Sequence, residues 1–449
     1  MFRPRAVAGR LCRRAARAER MHGGRVSTGA RSAARGPTRK VNGSSPTWGE
    51  KRASTSTSPS TSGSDCPGTG VDDRRPGRQE GPLRSRRERS IVRGWASSRS
   101  RGPLPSTQRS PLDRMRRRPR RCQAGRMTPQ PTRLRPFGPS GATVTRLTLG
   151  TSWRPERVAD LDRVPALERV LGSDPGSRPV SVIDTSNEYA GGHSERLIGE
   201  ALEARGGVPE GITVVTKLDR DPSTGSYSAE RMRRSLDESR ERLGMDVLPL
   251  LSLHDPERIS YDEAFAEDGP VRALVAMKDC GVALSIGISG GPAPMLRHYV
   301  DTGLFDAVIT HNRFTLVDRS SEELIDASVD RGVIVVNAAV YGGGALARWP
   351  EPVASYAYQA APREIVDAVA AMGAACDRAG VPLAAAALQF STRDPRVTTT
   401  VVGATSAEHY DAFVADDGLE IPDALFEELE SLAPPSTLWQ DAPGSTWPR

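Results

Sequence analysis

The chain has 449 residues, of which 37% are hydrophobic and 26% charged, and its formal net charge is +7. This length allows two or three domains of about 150 residues each, but residues 1–126 hold 32 basic and 8 acidic residues, whereas the remainder holds 30 basic and 47 acidic residues. No run of about 18 apolar residues occurs, so no membrane-spanning helix is expected, and no apolar stretch follows the early arginines, so no secretory signal is expected.

Residues 1–140 form a basic low-complexity segment that is predicted to be disordered. The segment is rich in Arg, Ser, Pro and Gly and lacks the apolar periodicity needed to bury a core and offset the entropy of ordering. Residues 1–126 admit three interpretations: a nucleic-acid-binding tail, an organelle-targeting peptide, or a segment outside the mature protein, which then starts at Met127. We favour the third. Nucleic-acid binding is not expected, because aromatic residues for base stacking are almost absent.

The cysteines indicate the compartment. They show neither a CxxC pair nor the spacing of a disulfide framework, which predicts free thiols in a reducing, cytoplasmic compartment. No metal site is expected. The five residues are Cys12, Cys66, Cys122, Cys280 and Cys376.

From residue 141 onward, short β-branched segments alternate with amphipathic segments. This alternation is typical of parallel strands joined by helical crossovers. The predicted strands are Val144–Gly150, Val180–Ile183, Ile212–Thr216, Val247–Leu253, Val282–Ile288, Phe305–Thr310, Val333–Val336 and Thr398–Val402. The predicted helices are Arg157–Leu171, Glu195–Glu203 with Ser194 as its N-cap, Ser228–Leu243, Pro270–Cys280, Ala293–Thr302, Ser320–Asp330, Glu364–Ala379, Leu383–Phe390, Ala407–Val414 and Pro422–Leu432.

Eight strand–helix units predict an α/β fold, a (β/α)8 TIM barrel over residues 141–449, for which about 250 residues are typical. The alternative is an open doubly wound sheet. That fold usually has a GxGxxG phosphate loop after its first strand, whereas the first strand here ends in the sequence GTSW at residues 150–153. The closed barrel is therefore favoured.

Polar side chains follow most of the predicted strands at or just past their carboxyl ends. In a barrel these ends surround one mouth, where active sites are built. Several such residues in register favour a functional site over solvated loop side chains. They are Asp184, Lys217, His254, Ser289, His311 and Asn337.

The motifs at these positions resemble those of the aldo-keto reductase superfamily. Within it, they are similar to the branch of aldose 1-dehydrogenases that act on L-fucose, L-galactose and related sugars, with pyridoxal dehydrogenases nearby. The resemblance extends from about Val144 to the C-terminus. It rests on DTSNEY at 184–189, SERLIG at 194–199, TK at 216–217, LHDP at 253–256, GISGG at 287–291, THNR at 310–313, VNAA at 336–339 and YGGG at 341–344.

The resemblance implies a nicotinamide cofactor and a catalytic tetrad. Tyr189 would be the general acid and base, Lys217 and Asp184 would support it, and His254 would orient the substrate carbonyl. Elementary chemistry agrees with these roles. A free phenol has a pKa of about 10, and a neighbouring ammonium is expected to lower that pKa. Asp184 would keep Lys217 charged and in place.

Further cofactor contacts are implied by matched positions. Ser289 and His311 correspond to residues near the nicotinamide amide, and Asn337 is grouped with them. Where many relatives stack an aromatic ring on the nicotinamide, this chain has Ala338. The turn of Gly403, Ala404, Thr405 and Ser406 matches the pyrophosphate and adenosine site, at a helix start that suits phosphate.

The same region predicts the cofactor. Relatives that prefer NADP hold its 2′-phosphate with Lys or Arg. Residues 398–413 contain neither, and His409 stands where an Arg often lies. A 2′-phosphate would therefore lack its usual charge-assisted partners, and NAD is predicted to be preferred over NADP.

We predict an enzyme that oxidises an aldose at C1 to the lactone, with Trp153, Tyr341 and Trp349 lining the substrate pocket. One alternative is a general aldehyde or pyridoxal oxidoreductase. Another is a non-catalytic nucleotide-binding subunit, against which the intact tetrad argues. The expected partners are a small sugar or aldehyde and no membrane. The protein is expected to be a monomer or homodimer.

Overall fold

The computed structural model describes residues 134–138, 141–158, 164–351 and 353–447. The disorder predicted for the N-terminal segment therefore falls, up to residue 133, outside the described residues. Within the described ranges, no helix is both long enough and apolar enough to cross a membrane.

The described residues form twelve strands, numbered in chain order. Eight of them, β3 to β9 and β12, form a closed parallel barrel in which β12 pairs with both β3 and β9. The predicted α/β barrel is thereby confirmed. The strands are β1 Arg135–Phe137, β2 Ala142–Val144, β3 Leu147–Gly150, β4 Val180–Asp184, β5 Thr213–Leu218, β6 Leu251–His254, β7 Ile286–Gly290, β8 Ala307–His311, β9 Ile334–Ala338, β10 Ser355–Tyr356, β11 Gln359–Ala360 and β12 Thr399–Gly403.

Helices follow the barrel strands and cover them. Their packing against the outward faces of the strands forms the largest core cluster. The described helices are α1 Pro155–Val158, α2 Pro165–Leu171, α3 His193–Glu203, α4 Ala229–Leu243, α5 Tyr261–Phe265, α6 Pro270–Asp279, α7 Ala293–Asp301, α8 Glu322–Asp330, α9 Arg363–Ala379, α10 Leu383–Thr392, α11 Ala407–Asp417 and α12 Asp423–Ser431.

The hairpin of β1 and β2 corrects two predictions. An ordered strand is present at β1, within the segment expected to be disordered. The expected first strand is also divided: β2 belongs to the hairpin, and only β3 enters the barrel. The reason is tertiary packing. Phe137 and Val144 are buried against Ile334 and other inward barrel residues, contacts that the short segment alone does not reveal.

Two helix starts also differ from expectation. The helix expected from Arg157 to Leu171 is present as α1 and α2, with residues 159–163 between them outside the described ranges. Ser194 does not cap α3. The helix begins two residues earlier than predicted, at His193 after Gly192 at φ 83°. The Ser194 hydroxyl instead bonds Thr185 Oγ1 at 2.9 Å and the carbonyl oxygen of Thr151 at 3.1 Å.

The barrel strands are buried on both faces, and their alternation decides where each side chain points. Val182 and Val215 lie in the inner core, whereas Ile183 and Val214 pack outward under the helices. Because side chains alternate along a strand, Asp184 and Lys217, each two residues beyond an inner valine, also face the barrel axis at the carboxyl ends of their strands.

Candidate active site

A cavity of about 840 Å3 opens at the carboxyl ends of the barrel strands. Its size falls within the range of about 300–1,000 Å3 that is typical of ligand sites. Five of the predicted site residues, which lie at the carboxyl ends of strands β4 to β8, line it: Asp184, Lys217, His254, Ser289 and His311. The remaining lining residues include Tyr189, Asp255, Glu257, Arg258, Ala338, Tyr341, Tyr358 and Gly403.

Tyr189 reaches this cavity through an unusual turn. The chain passes from β4 into the 3-10 turn Tyr189–Gly192, in which Ala190, Gly191 and Gly192 have φ values of 49°, 63° and 83°. At Gly192 an added Cβ would lie 2.4 Å from the Arg242 guanidinium carbon. The left-handed backbone favours glycine at Gly191 and Gly192, whereas the Arg242 guanidinium is the far end of a flexible side chain and can move aside.

Lys217 connects the site. Its ammonium donates to Asp184 Oδ2 at 2.8 Å, to the carbonyl oxygen of Thr185 at 2.8 Å and to Tyr189 Oη at 3.1 Å. The lysine is 2% exposed, so the bond to Asp184 is a buried ion pair. With three partners, all the donors of the ammonium are used, and the geometry directs one of them at the phenol oxygen.

The acidity of Tyr189 differs from the expectation. Burial raises the pKa of Tyr189 to about 12, and this effect outweighs the Lys217 ammonium, which acts to lower it. The expected lowering by Lys217 is therefore present, but it does not bring the phenol pKa below its ordinary value. The reason is desolvation, which disfavours a buried phenolate. Tyr189 is a phenol at neutral pH and can donate a proton.

His254 stands beside Tyr189, and the two rings meet edge to face with centroids 5.6 Å apart. The sequence analysis did not identify its main partner. Asp219, which directly follows β5, brings its Oδ1 to 2.6 Å from His254 Nδ1. Strand alternation is the signal that could have found Asp219, because it lies two residues beyond Lys217 and therefore on the same side of the strand.

Part of the cavity wall is acidic. Asp255, with φ 48°, and Glu257 follow β6. One carboxylate oxygen of each lies within 4.8 Å of the other and of a His311 ring nitrogen. Glu257 Oε1 accepts from the Gly291 amide at 3.2 Å, while Oε2 is a buried acceptor without a partner among the described residues. Burial, with Arg313 nearby, lowers the pKa of His311 to about 4, so its imidazole is neutral.

A second cavity of about 230 Å3 adjoins the first and shares Ser152 and Gly403 with it. Four of the residues predicted to bind the cofactor, Gly403, Ala404, Thr405 and His409, line it. Ser406 instead caps α11 by accepting from the His409 amide at 3.2 Å. Two arginines that the sequence analysis did not identify, Arg154 and Arg348, complete the lining. They come from separate loops, so no local motif reveals them.

The linings of the two adjoining cavities fit a dinucleotide. A Cβ added at Gly403 would meet only the Gly150 carbonyl oxygen, at 3.9 Å, which leaves the turn open for a close ligand. The N-terminus of α11 follows and suits phosphate. In the larger cavity, beside Lys217, Asp184 Oδ1 is buried without a partner among the described residues.

Three residues predicted to contact cofactor or substrate do not line the larger cavity at the barrel mouth. Asn337 faces outward and donates to Phe314 O at 2.8 Å and Ser391 Oγ at 2.9 Å, because β9 continues to Ala338 and alternation turns Asn337 away. Trp153 is buried, lines only the smaller cavity, and donates to the Ala404 carbonyl oxygen at 2.9 Å. Trp349 bonds Asp377 Oδ2 at 3.0 Å and packs over Gly373 of α9.

Comparisons with known proteins agree with the geometry. Residues 146–434 match the family model described as the Aldo/keto reductase family. The chain is 29% identical over 339 residues to pyridoxal 4-dehydrogenase from Microbacterium luteolum, covering 66% of this chain and 96% of that protein. It is 29% identical over 272 residues to L-galactose dehydrogenase from Arabidopsis thaliana, covering 60% and 83%.

The chain is also similar to a third curated protein and to a solved structure. The chain is 34% identical over 272 residues to D-threo-aldose 1-dehydrogenase from a Pseudomonas species, covering 55% of this chain and 82% of that protein. Among solved structures, an aldo-keto reductase from Bacillus halodurans in its holo form matches with a TM-score of 0.54 and 22% identity, covering 67% of this chain and 96% of that one. At that identity the match shows the fold.

Proposed function

We propose, from the premise that this chain belongs to the aldo/keto reductase family and is an NAD(P)-dependent oxidoreductase, that it oxidises an aldose at C1 to the lactone. The observation on which this proposal depends is the hydrogen bond from the Lys217 ammonium to the Tyr189 phenol at the mouth of the barrel, within the same cavity as His254.

In the proposed site, Gly403, Ala404 and Thr405 would hold the cofactor pyrophosphate, and Ser289 and His311 would lie near the nicotinamide. When bound, the nicotinamide would serve as the hydride acceptor in oxidation and the hydride donor in reduction. The protein positions the substrate oxygen and transfers a proton to or from it.

Tyr189 is the proposed proton-exchanging group. In the reductive direction its phenol donates to the carbonyl oxygen, which develops negative charge as the C–H bond forms. In the oxidative direction the phenol oxygen must first be deprotonated. Lys217 favours that phenolate electrostatically, and Asp184 holds the ammonium at 2.8 Å.

The acidic wall supports a polyhydroxylated substrate. Asp255 and Glu257 offer carboxylate oxygens to the cavity, and carboxylates accept hydrogen bonds from hydroxyl groups. Glu257, which lines the cavity, would accept from a sugar hydroxyl. The names of two similar proteins, L-galactose dehydrogenase and D-threo-aldose 1-dehydrogenase, agree with this substrate class.

Pyridoxal or a simple aldehyde is the second candidate substrate, because the similarity to pyridoxal 4-dehydrogenase spans 96% of that protein. The two classes differ in hydroxyl content. An aldose presents several vicinal hydroxyls to the acidic wall, whereas pyridoxal has two hydroxyls that are not vicinal and a simple aldehyde has none.

We propose that NAD is preferred over NADP. The helix that begins after the Gly403–Thr405 turn places Glu408, an acid, in its first turn, and a carboxylate there disfavours a 2′-phosphate. Arg154 and Arg348 line the cavity beside that turn, where they would serve the pyrophosphate that both cofactors share.

We further propose that the barrel domain, expected over residues 141–449, is the catalytic domain and that the basic segment before it does not contribute to the reaction. A protein that starts at Met127 should match the full chain in kcat. A large loss of kcat in the shorter protein would contradict this.

The function is tested by following reduced nicotinamide absorbance with NAD or NADP and a panel of aldoses, pyridoxal and simple aldehydes. We expect the highest kcat/KM for an aldose with NAD, and a lactone as the product. Turnover of pyridoxal but of no aldose would establish the second candidate instead. Nucleotide binding with no turnover of any member would show that the protein is a non-catalytic subunit.

A further inference from the structure

Asp219 is a buried carboxylate, 2% exposed, that none of the roles above uses. It accepts three hydrogen bonds. His254 Nδ1 lies 2.6 Å from Oδ1, the backbone amide of Glu188 lies 2.9 Å from Oδ2, and the Ser186 hydroxyl also donates to Oδ2. Two of these donors belong to the segment that leads into Tyr189, so one carboxylate connects the proposed acid-base tyrosine to the proposed orienting histidine.

The backbone of Asp219 is fixed as well. Its amide donates to Ser235 Oγ at 3.1 Å, and its carbonyl oxygen accepts from Arg231 Nε at 2.9 Å. Both partners lie on α4, the helix that follows β5. The carboxylate is therefore held from the strand, the helix and the loop, and cannot turn away from His254 without breaking several buried hydrogen bonds.

The two nitrogens of the His254 ring have different surroundings. Nδ1 faces Asp219 and, at 3.1 Å, the Ser186 hydroxyl. Nε2 lies on the other side, 3.6 Å from Asp255 Oδ1. An ionised carboxylate can only accept, so the 2.6 Å contact requires a proton on Nδ1 and leaves Nε2 as the atom that meets a ligand. The charged or titratable groups around the ring are Asp219, Lys217, Tyr189, Asp255, Glu257 and His311.

We propose that Asp219 is a positioning residue for His254, which keeps the proton on Nδ1 and favours the charged imidazolium, so that Nε2–H donates to the substrate oxygen in the reductive direction. The proposal rests on the proposed function, because that function places the substrate oxygen at His254. It assigns to Asp219 the role that an aspartate has beside the histidine of a serine-hydrolase triad, which fixes the tautomer without taking the proton.

The electrostatics support this role. Burial, the largest single effect, would lower the pKa of His254, but the Asp219 carboxylate and, to a lesser extent, Asp255 together outweigh it, and the pKa is raised above its ordinary value. Burial likewise acts to raise the pKa of Asp219, and the interaction with His254 and the hydrogen bonds to Ser186 and Glu188 outweigh it and lower that pKa. Each group thus stabilises the charged form of the other.

The test has two measurements. The first is a pH titration of the His254 ring nitrogens by 15N NMR in the resting full-length protein. The wild type should keep Nδ1 protonated in both ionisation states and titrate above the ordinary value of about 6.5. Asp219→Asn should lower the His254 pKa by about one unit or more, a tenfold change in the protonation equilibrium. A neutral wild-type tautomer with its proton on Nε2 would overturn the proposal without any variant.

The second measurement is the pH profile of kcat/KM for reduction. The pH at which it declines should move down in Asp219→Asn by the same amount as the His254 pKa. The matched control is Asp221→Asn, which changes a half-buried acid two residues further on, bonded to Ser223, Thr224 and Arg234 and not to His254. The control should leave both measurements unchanged, and equal behaviour of the two variants would overturn the proposal. Because the titration uses no substrate, absent turnover together with the expected titration would count against the proposed function and support the role of Asp219.

Discussion

The Lys217 ammonium donates to the Tyr189 phenol at 3.1 Å while it forms a buried ion pair with Asp184 at 2.8 Å. The three side chains come from the ends of two neighbouring barrel strands and the turn after the first. Because a barrel strand holds Lys217 in place, the contact keeps its ammonium beside the phenol oxygen, where it influences the acidity of that oxygen.

Removing the phenol oxygen should stop the reaction and leave the fold intact. Tyr189→Phe should lower kcat by about 10²–10⁴-fold, the usual contribution of a positioned acid or base, with the dissociation constant for the cofactor within about twofold of wild type. Steady-state kinetics and fluorescence titration measure the two quantities. Tyr299→Phe, which removes the same atom from a buried tyrosine in α7, is the control. Full activity in Tyr189→Phe would show that another group exchanges the proton.

The Asp184–Lys217 pair should also matter for stability. Both side chains are almost fully buried, and Asp184→Asn leaves the ammonium without a counter-charge. Breaking a buried pair in this way costs about 3–5 kcal/mol, seen as a lower midpoint in denaturant. The control is Asp411→Asn in the exposed pair with Arg169, which should cost less than about 1 kcal/mol. Equal losses in the two variants would contradict the difference in burial.

Oxidation should become faster with pH across the alkaline range. Burial raises the pKa of Tyr189 to about 12, and oxidation requires the deprotonated oxygen, so the reactive fraction grows up to about tenfold for each pH unit below that value. The measurement is kcat/KM for aldose oxidation from about pH 7 to about pH 10. A plateau that begins near neutral pH would mean that the phenol pKa is much lower when the cofactor is bound.

The two cavity arginines should act on both cofactors alike. If Arg154 and Arg348 contact the shared pyrophosphate, Arg348→Ala and Arg154→Ala will raise the dissociation constants of NADH and NADPH by the same factor, about tenfold for a charge-assisted bond. Calorimetry measures this without turnover. A loss confined to NADPH would place an arginine at the 2′-phosphate and contradict the proposed NAD preference.

Glu257 should discriminate between substrate classes. Glu257→Gln keeps the shape of the side chain but removes its charge, so kcat/KM for an aldose should fall about tenfold or more, as expected for a lost hydrogen bond to a charged group. A simple aldehyde without further hydroxyls is the internal control and should react as with wild type. Equal losses for both substrates would indicate that Glu257 supports the Gly291 turn instead of binding sugar hydroxyls.

Much of this arrangement follows from the sequence. Alternating strand and helix patterns predict eight parallel strands, and the closed barrel is confirmed. The spacing of Asp184, Tyr189, Lys217 and His254 predicts one shared mouth, and the structure brings the four side chains to one cavity. Local sequence is sufficient here because the carboxyl ends of parallel barrel strands all lie at the same mouth.

Tertiary structure decided what local sequence could not. Strand alternation depends on the register within the closed barrel, which turned Asn337 outward and brought Asp219 inward. The arginines at the cofactor cavity, the tryptophan under the Ala404 turn and the β1–β2 hairpin depend on contacts between distant segments. The pKa of Tyr189 depends on how completely the fold excludes water, because desolvation of a buried phenol opposes and exceeds the effect of one neighbouring ammonium. Sequence therefore determined which groups are present at the mouth, whereas packing determined their partners and their acidity.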